Sequence, residues 1–196
     1  AFQKLKAADV PLIFFDKVPD DTSFNKVCLA DKEAATIAAE ELQKRKKKNI
    51  LAIFGSRQLS ITQRRLESFQ KSFSIHKDIH LSIEHAHSTK HAEEITNQYF
   101  QQQKKPDAVF CMSDEILMGV MKSLMRLQIS IPKETGVIAL SDGSIPYLYY
   151  PEISFVETSG YKLGKLAFQR MKECLDGATN SIEEFAPSRF VEGGSI

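Results

Sequence analysis

Short apolar runs recur along the chain, separated by longer stretches whose apolar positions follow the helical period. The runs Val10 to Asp16, Val27 to Leu29, Asn49 to Ile53, Ile79 to Glu84, Ala108 to Met112, Gly136 to Leu140 and Ile153 to Val156 are strand-length and rich in Val, Ile and Phe. Helices are predicted between them, at about Lys32 to Lys46, Thr62 to Phe73, Thr89 to Gln103, Glu115 to Leu127 and Tyr161 to Leu175. In the fourth of these, Ile116, Val120 and Leu124 form one row with Leu117, Met121 and Met125 beside it, a core-facing stripe. Regular strand-helix alternation predicts an α/β fold with parallel sheets flanked by helices.

The alternation breaks after Leu140, where Ser141 to Pro146 reads as a loop and Tyr147 to Tyr150 as an aromatic turn. In open α/β sheets the ligand crevice lies at the carboxyl ends of the strands. Candidate ligand residues are therefore those that follow strands: Asp16-Lys17, Gly55 to Ile61, His85 to Ser88, Ser113-Asp114 and Ser141-Asp142. Most are polar. The chain opens on a short helical tail that feeds directly into the Val10 strand, which reads as an incomplete lobe.

Composition narrows the chemistry. The 26 Lys and Arg nearly cancel the 25 Asp and Glu, so no overall field favours nucleic acid or an anionic membrane. The run Lys44 to Lys48 closes a helix, where cations meet exposed carbonyls favourably, and lacks the aromatic partners of a nucleic-acid patch. No stretch approaches the roughly 20 apolar residues of a membrane span, and Ala1 to Asp9 lacks the apolar core of a signal peptide. Cys28, Cys111 and Cys174 are too scattered for a zinc knuckle or redox pair and read as small buried residues of a cytoplasmic protein.

His76, His80, His85, His87 and His91 lie close in sequence, but no Cys, Asp or Glu set completes a metal site. No phosphate loop, dinucleotide fingerprint or nucleophile elbow is present, since Gly55 stands alone after its strand. No cofactor, metal or catalytic activity is expected. Arg64-Arg65 follows a polar loop, and either a surface pair or a planar fork of donors facing a ligand fits that position.

Gln63 to Phe69 resembles the R-x-x-G-[FYW] helix start of the lactose-repressor/galactose-repressor family of bacterial transcription regulators, with Ser68 for Gly. Val10 to Lys17 resembles that family's I-P-V-V-x-x-D-R strand, and Asp31 to Leu42 its D-N-x-x-A helix. Asn49 to Gly55 resembles the strand that follows that helix. Pro106 to Gly119 is similar to P-T-A-I-x-x-x-N-D-x-x-A-x-G, with Ser113 for Asn and Leu117 for Ala. Ile131 to Asp142 resembles V-P-x-D-x-x-V-x-G-F-D-D, and Pro151 to Val156 resembles P-x-L-T-T-V. Leu163-Gly164 stands where the family often has L-G, and Phe190 to Ser195 is similar to its usual ending.

The resemblance implies two Rossmann-like lobes of the periplasmic-binding-protein type I kind with an effector between them. Residues 1–27 and 159–177 would be the remnant of an incomplete N-terminal lobe, and 28–158 with 178–196 the C-terminal lobe. A helix-turn-helix domain that contacts operator DNA would lie outside this sequence. Carried over by position, Arg65 takes the place of the ligand-gripping arginine, so its loss is expected to abolish effector binding with the fold intact. Asp16 ends the first-lobe strand, His87 replaces a stacking aromatic, and Ser113 replaces Asn beside Asp114. Ser141 stands where an aspartate usually accepts effector hydroxyls, with Asp142 next to it to compensate; Thr158 stands where Gln is frequent. The expected partners are a small-molecule effector, a sugar or sugar derivative, a second copy of the chain in a homodimer, and operator DNA, without a membrane. A solute-binding protein of a sugar transport system is the alternative with the same fold.

Overall fold

The computed structural model describes residues 2–16, 18 and 21–196. Lys17, named above as a strand-end candidate, lies outside the described residues. The chain divides into two units, Ala1–Ala30 with Thr158–Ser188, and Asp31–Glu157 with Arg189–Ile196.

The smaller unit holds helix α1 (Phe2–Ala7), strands β1 (Ile13–Phe15) and β2 (Asn25–Leu29), helix α6 (Gly160–Leu175) and strand β8 (Glu183–Ala186). Its sheet runs β1-β2-β8 with both pairings parallel. Strand β1 is shorter than the apolar run Val10 to Asp16, whose Pro11 has no N–H to give a ladder. Helix α6 starts at an N-cap, the Ser159 hydroxyl accepting from the Lys162 N–H at 3.2 Å. Arg170, 3% exposed, donates to the Asn25 side chain at 2.8 Å and so fastens α6 to β2.

These boundaries correct the sequence division. Residues 28–30 belong to the smaller unit because β2 continues to Leu29, and residues 178–188 belong there because β8 pairs with β2. Only residues 189–196 return to the larger unit, through strand β9 (Arg189–Val191), which runs antiparallel to β7 (Ser154–Glu157).

The larger unit is a six-stranded sheet of order β4-β3-β5-β6-β7-β9, with β3 (Asn49–Phe54), β4 (His80–His85), β5 (Ala108–Cys111) and β6 (Gly136–Ser141) all parallel. Strands β3, β5 and β6 are almost wholly buried, which is why they read as unbroken apolar runs. Helices α2 (Asp31–Lys44) and α3 (Ser60–Phe73) pack on one another, as do α4 (Thr89–Phe100) and α5 (Asp114–Arg126).

Helix α2 approaches the sheet closely because its inner stripe is Ala34, Ala35, Ala38, Ala39 and Leu42, all fully buried. Helix α5 buries Ile116, Leu117, Val120, Met121 and Leu124 as its period predicts, but Met125 is 64% exposed and leaves the stripe one turn early. Below the site end, Phe54, Phe69 and Phe110 form the aromatic centre of the core, with Phe69 and Phe110 stacked at 4.4 Å.

Candidate functional site

The strand order has one consequence for function. Chain order places β3 inside the sheet, with β4 on one side and β5 on the other, so the connections leaving β3 and β5 diverge and open a crevice at their carboxyl ends. The segments at that end are Gly55 to Leu59 after β3, Ala86 to Ser88 after β4, Met112-Ser113 after β5 and Asp142 to Ile145 after β6. With strands about 4.8 Å apart, the rim from β4 to β6 is roughly 14 Å wide. Arg65, His87, Ser113, Asp114, Ser141 and Asp142 all belong to this unit and to this end of it. Asp16 belongs to the smaller unit, just past β1, with φ of 65° and its N–H on the Val27 carbonyl at 3.2 Å.

Arg65 is 5% exposed. Its Nε donates to Asp31 Oδ1 at 2.9 Å and one terminal nitrogen to the Met112 carbonyl at 3.2 Å, while Arg64 grips the other oxygen of Asp31 at 2.9 Å. Asp31, first residue of α2, thus locks two successive arginines of α3 and orients the second toward the end of β5. The guanidinium is a structural tie as well as a candidate ligand donor.

Ser113 caps α5, its hydroxyl accepting from the Ile116 N–H at 3.4 Å, a long bond that leaves the oxygen weakly held. Asp114 Oδ1 is buried with no hydrogen-bond partner. Burial pushes the Asp114 carboxyl above the usual carboxylate range, the nearby negative charge of Asp142 adds to the rise, and hydrogen bonding from Ser141 opposes it. Ser141 is 2% exposed and its oxygen also accepts from the Gly143 N–H at 2.9 Å, a turn in which Gly143 takes φ of 99°. Asp142 is exposed and held below the usual range by the Ser144 hydroxyl and N–H, at 2.6 and 2.9 Å.

The histidines do not converge on one point. His85 Nδ1 lies 2.8 Å from the Gly55 carbonyl and therefore carries the proton it donates, leaving Nε2 as the uncommitted ring nitrogen. His87 and His91 face each other through their Nδ1 atoms at 2.8 Å, bracketing Ser88, which caps α4. His80 meets Ser82 on exposed surface. Among the described residues no group of three or more His, Cys, Asp or Glu side chains gathers as a metal set.

Residues 39–196 match the periplasmic binding protein-like domain family. The chain belongs to that family. This periplasmic binding protein-like domain is 24% identical over 169 residues to the HTH-type transcriptional repressor PurR of Vibrio atlanticus, covering 85% of this chain and 51% of the repressor. The chain thus spans about half the length of the curated relatives it matches.

Two solved structures share its fold. A LacI family transcriptional regulator from Enterococcus faecalis V583 with bound ribose has a TM-score of 0.83 at 19% identity, over 98% of this chain and 71% of that one. The dimeric Lac repressor with an 11-residue C-terminal deletion has a TM-score of 0.86 at 18% identity, over 99% and 72%.

Two features of this periplasmic binding protein-like domain escaped the sequence reading. Tyr149 is half-buried beside Asp114 and Cys111, its phenol pushed upward by burial and by those neighbours, although it reads only as part of an aromatic turn. The basic run Lys44 to Lys48 is largely spent on ion pairs: Lys44 and Arg45 on Glu41, Arg45 also on Glu192 with Phe190 beneath it, and Lys48 on Asp78.

Proposed function

We propose that this chain is the effector-binding part of a LacI-type bacterial transcription regulator and that its effector is a sugar or sugar derivative. The observation that carries the reading is the polar rim at the sheet's switch point, in a fold whose relatives are named as transcriptional repressors and one of whose structural neighbours holds ribose. In this reading Ser113, Asp114, Ser141 and Asp142 exchange hydrogen bonds with ring hydroxyls, His87 covers an apolar face of the sugar, and Arg65 offers the edge of a guanidinium already fixed by Asp31. The domain dissipates no bond energy. Its output is a shift between conformations that the effector binds with different affinity, transmitted to operator DNA through a helix-turn-helix domain of the full-length, cytoplasmic, homodimeric protein.

The test is calorimetric titration of the chain with ribose and a panel of other monosaccharides, repeated on Arg65→Lys. A saturable heat for at least one sugar is expected, weakened roughly tenfold or more where the planar fork is replaced by a point charge. No saturable binding across the panel, with the chain folded, overturns the assignment of a sugar effector.

A further inference from the structure

Two histidines meet where the chain passes from strand β4 into helix α4. His87 is exposed and His91 half-buried. Ser88 between them is the N-cap, with extended backbone (φ −163°, ψ 162°) and a hydroxyl that accepts from the His91 N–H at 3.1 Å. The cap sets His91 in the first turn of α4, with His87 just ahead of it. Lys90, which lies between them in sequence, is turned to Glu94 at 3.9 Å.

The geometry of the pair is specific. The two Nδ1 atoms are 2.8 Å apart and the ring centroids 4.3 Å apart, with the planes at 52°. A straight N–H···N bond of that length would hold the centroids about 5 Å apart, so the contact is bent off the line joining the nitrogens. The same two separations are those of two imidazoles on one ion. With metal–nitrogen bonds of about 2.0 Å, ligands at a right angle place their nitrogens about 2.8 Å and their centroids about 4.5 Å apart. At the tetrahedral angle the nitrogens would stand about 3.3 Å apart. The right angle suits copper(II) or nickel(II), and the tetrahedral angle zinc. Among the described residues no third His, Cys, Asp or Glu joins the pair.

We propose that His87 and His91 form a two-ligand site for a divalent ion of tetragonal preference, copper(II) or nickel(II), at the β4 edge of the rim. Each ring binds the ion through Nδ1 and carries its proton on Nε2, so the ion takes the place of the proton now held between the two Nδ1 atoms. Water fills the remaining positions. Two protein ligands, set beside the positive end of α4, make this site weaker than a closed one with three or four. His87 is shared between the ion and the rim, whereas His91 serves the ion alone.

Titration of the whole chain with copper(II), and in further arms with nickel(II) and zinc(II), tests the site at neutral pH with no sugar present. Paramagnetic resonance at one equivalent of copper(II) is expected to show coupling to two imidazole nitrogens. His87→Ala and His91→Ala are each expected to weaken that first equivalent about tenfold or more, because one ring alone loses the effective concentration of the second. Circular dichroism checks the fold of both, and His87→Ala, on an exposed residue, carries the test if His91→Ala unfolds. The double variant His76→Ala/His80→Ala is expected to bind as the parent does. Zinc(II) is expected to bind severalfold more weakly than nickel(II). Copper held as tightly by His87→Ala, coupling to one nitrogen or none, or zinc preferred to nickel overturns the proposal. Because no sugar enters these measurements, failure of the sugar titration leaves the metal site standing, and failure here leaves the effector reading standing.

Discussion

Asp31 is the residue on which the candidate site turns. A carboxylate 5% exposed holds Arg64 and Arg65 together, and truncating one partner of a buried pair strands the other charge. Arg65→Ala is therefore expected to cost on the order of 3–5 kcal/mol in urea unfolding. The buried ion pair argues against the sequence expectation that its loss would spare the fold. Arg65→Lys retains the charge and is expected to cost less than half as much. An alanine variant as stable as the parent would show that Asp31 finds another partner.

Asp114 makes a second, opposite case. Its carboxyl is raised by burial, so between its unfolded value near 3.8 and its higher folded value the native state binds the extra proton. Its contribution to stability is present below the unfolded value and is lost as pH rises through the folded one. Asp114→Asn removes that dependence: denaturant midpoints should diverge in the variant's favour as pH climbs from 4 to 7. A constant difference across that range contradicts the burial argument.

At the scale of elements, strands β3, β5 and β6 were legible because burial on both faces erases alternation and leaves runs such as Ile50 to Phe54 and Val137 to Leu140. Strands β8 and β9 were not. Glu183 to Ala186 and Arg189 to Val191 are short, half polar and exposed on one side, and exist as strands only through their partners β2 and β7. The division between units was misplaced for the same reason, since it depends on where β8 pairs.

His87, Ser113, Asp114, Ser141 and Asp142 were legible as strand-end positions because topology alone puts them there, whereas Arg65, inside α3, was legible only through the family resemblance.

Gly119 shows how closely two elements are fitted. A Cβ there would sit 2.2 Å from the Thr89 carbonyl oxygen and 2.8 Å from Ala92 Cβ, so α5 cannot touch α4 with any side chain at that position. Gly119→Ala is expected to destabilise by at least the 1–3 kcal/mol typical of overpacking, roughly, despite alanine's better helix propensity. Thermal unfolding decides it, and a stabilised variant would mean that the α4–α5 contact gives way freely.

For the whole molecule, the decisive asymmetry is in buried apolar material. The larger unit contains one continuous core running from Ala34 to Val156. In the smaller unit the buried apolar residues among the described ones are Phe24, Val27, Cys28, Leu163 and Ala186, while Phe2, Phe15, Tyr161, Phe168, Leu175 and Phe185 are each more than half exposed. Opening free energy follows buried apolar contact, so the two units should report different local stabilities even in one chain. Native-state hydrogen exchange measures this directly. Amides of β3, β5 and β6 are expected to exchange only through global unfolding, and those of β1, β2 and β8 about 100-fold faster or more, a ratio equivalent to roughly 2.7 kcal/mol. The denaturant dependence should separate as well: exchange from β2 should show a small slope, because opening the smaller unit exposes little surface, whereas exchange from β5 should carry the full slope of unfolding. Equal rates and equal slopes in the two sheets would mean that the chain opens as one cooperative body, and that β2 and β8 draw their stability from more than these few buried apolar residues.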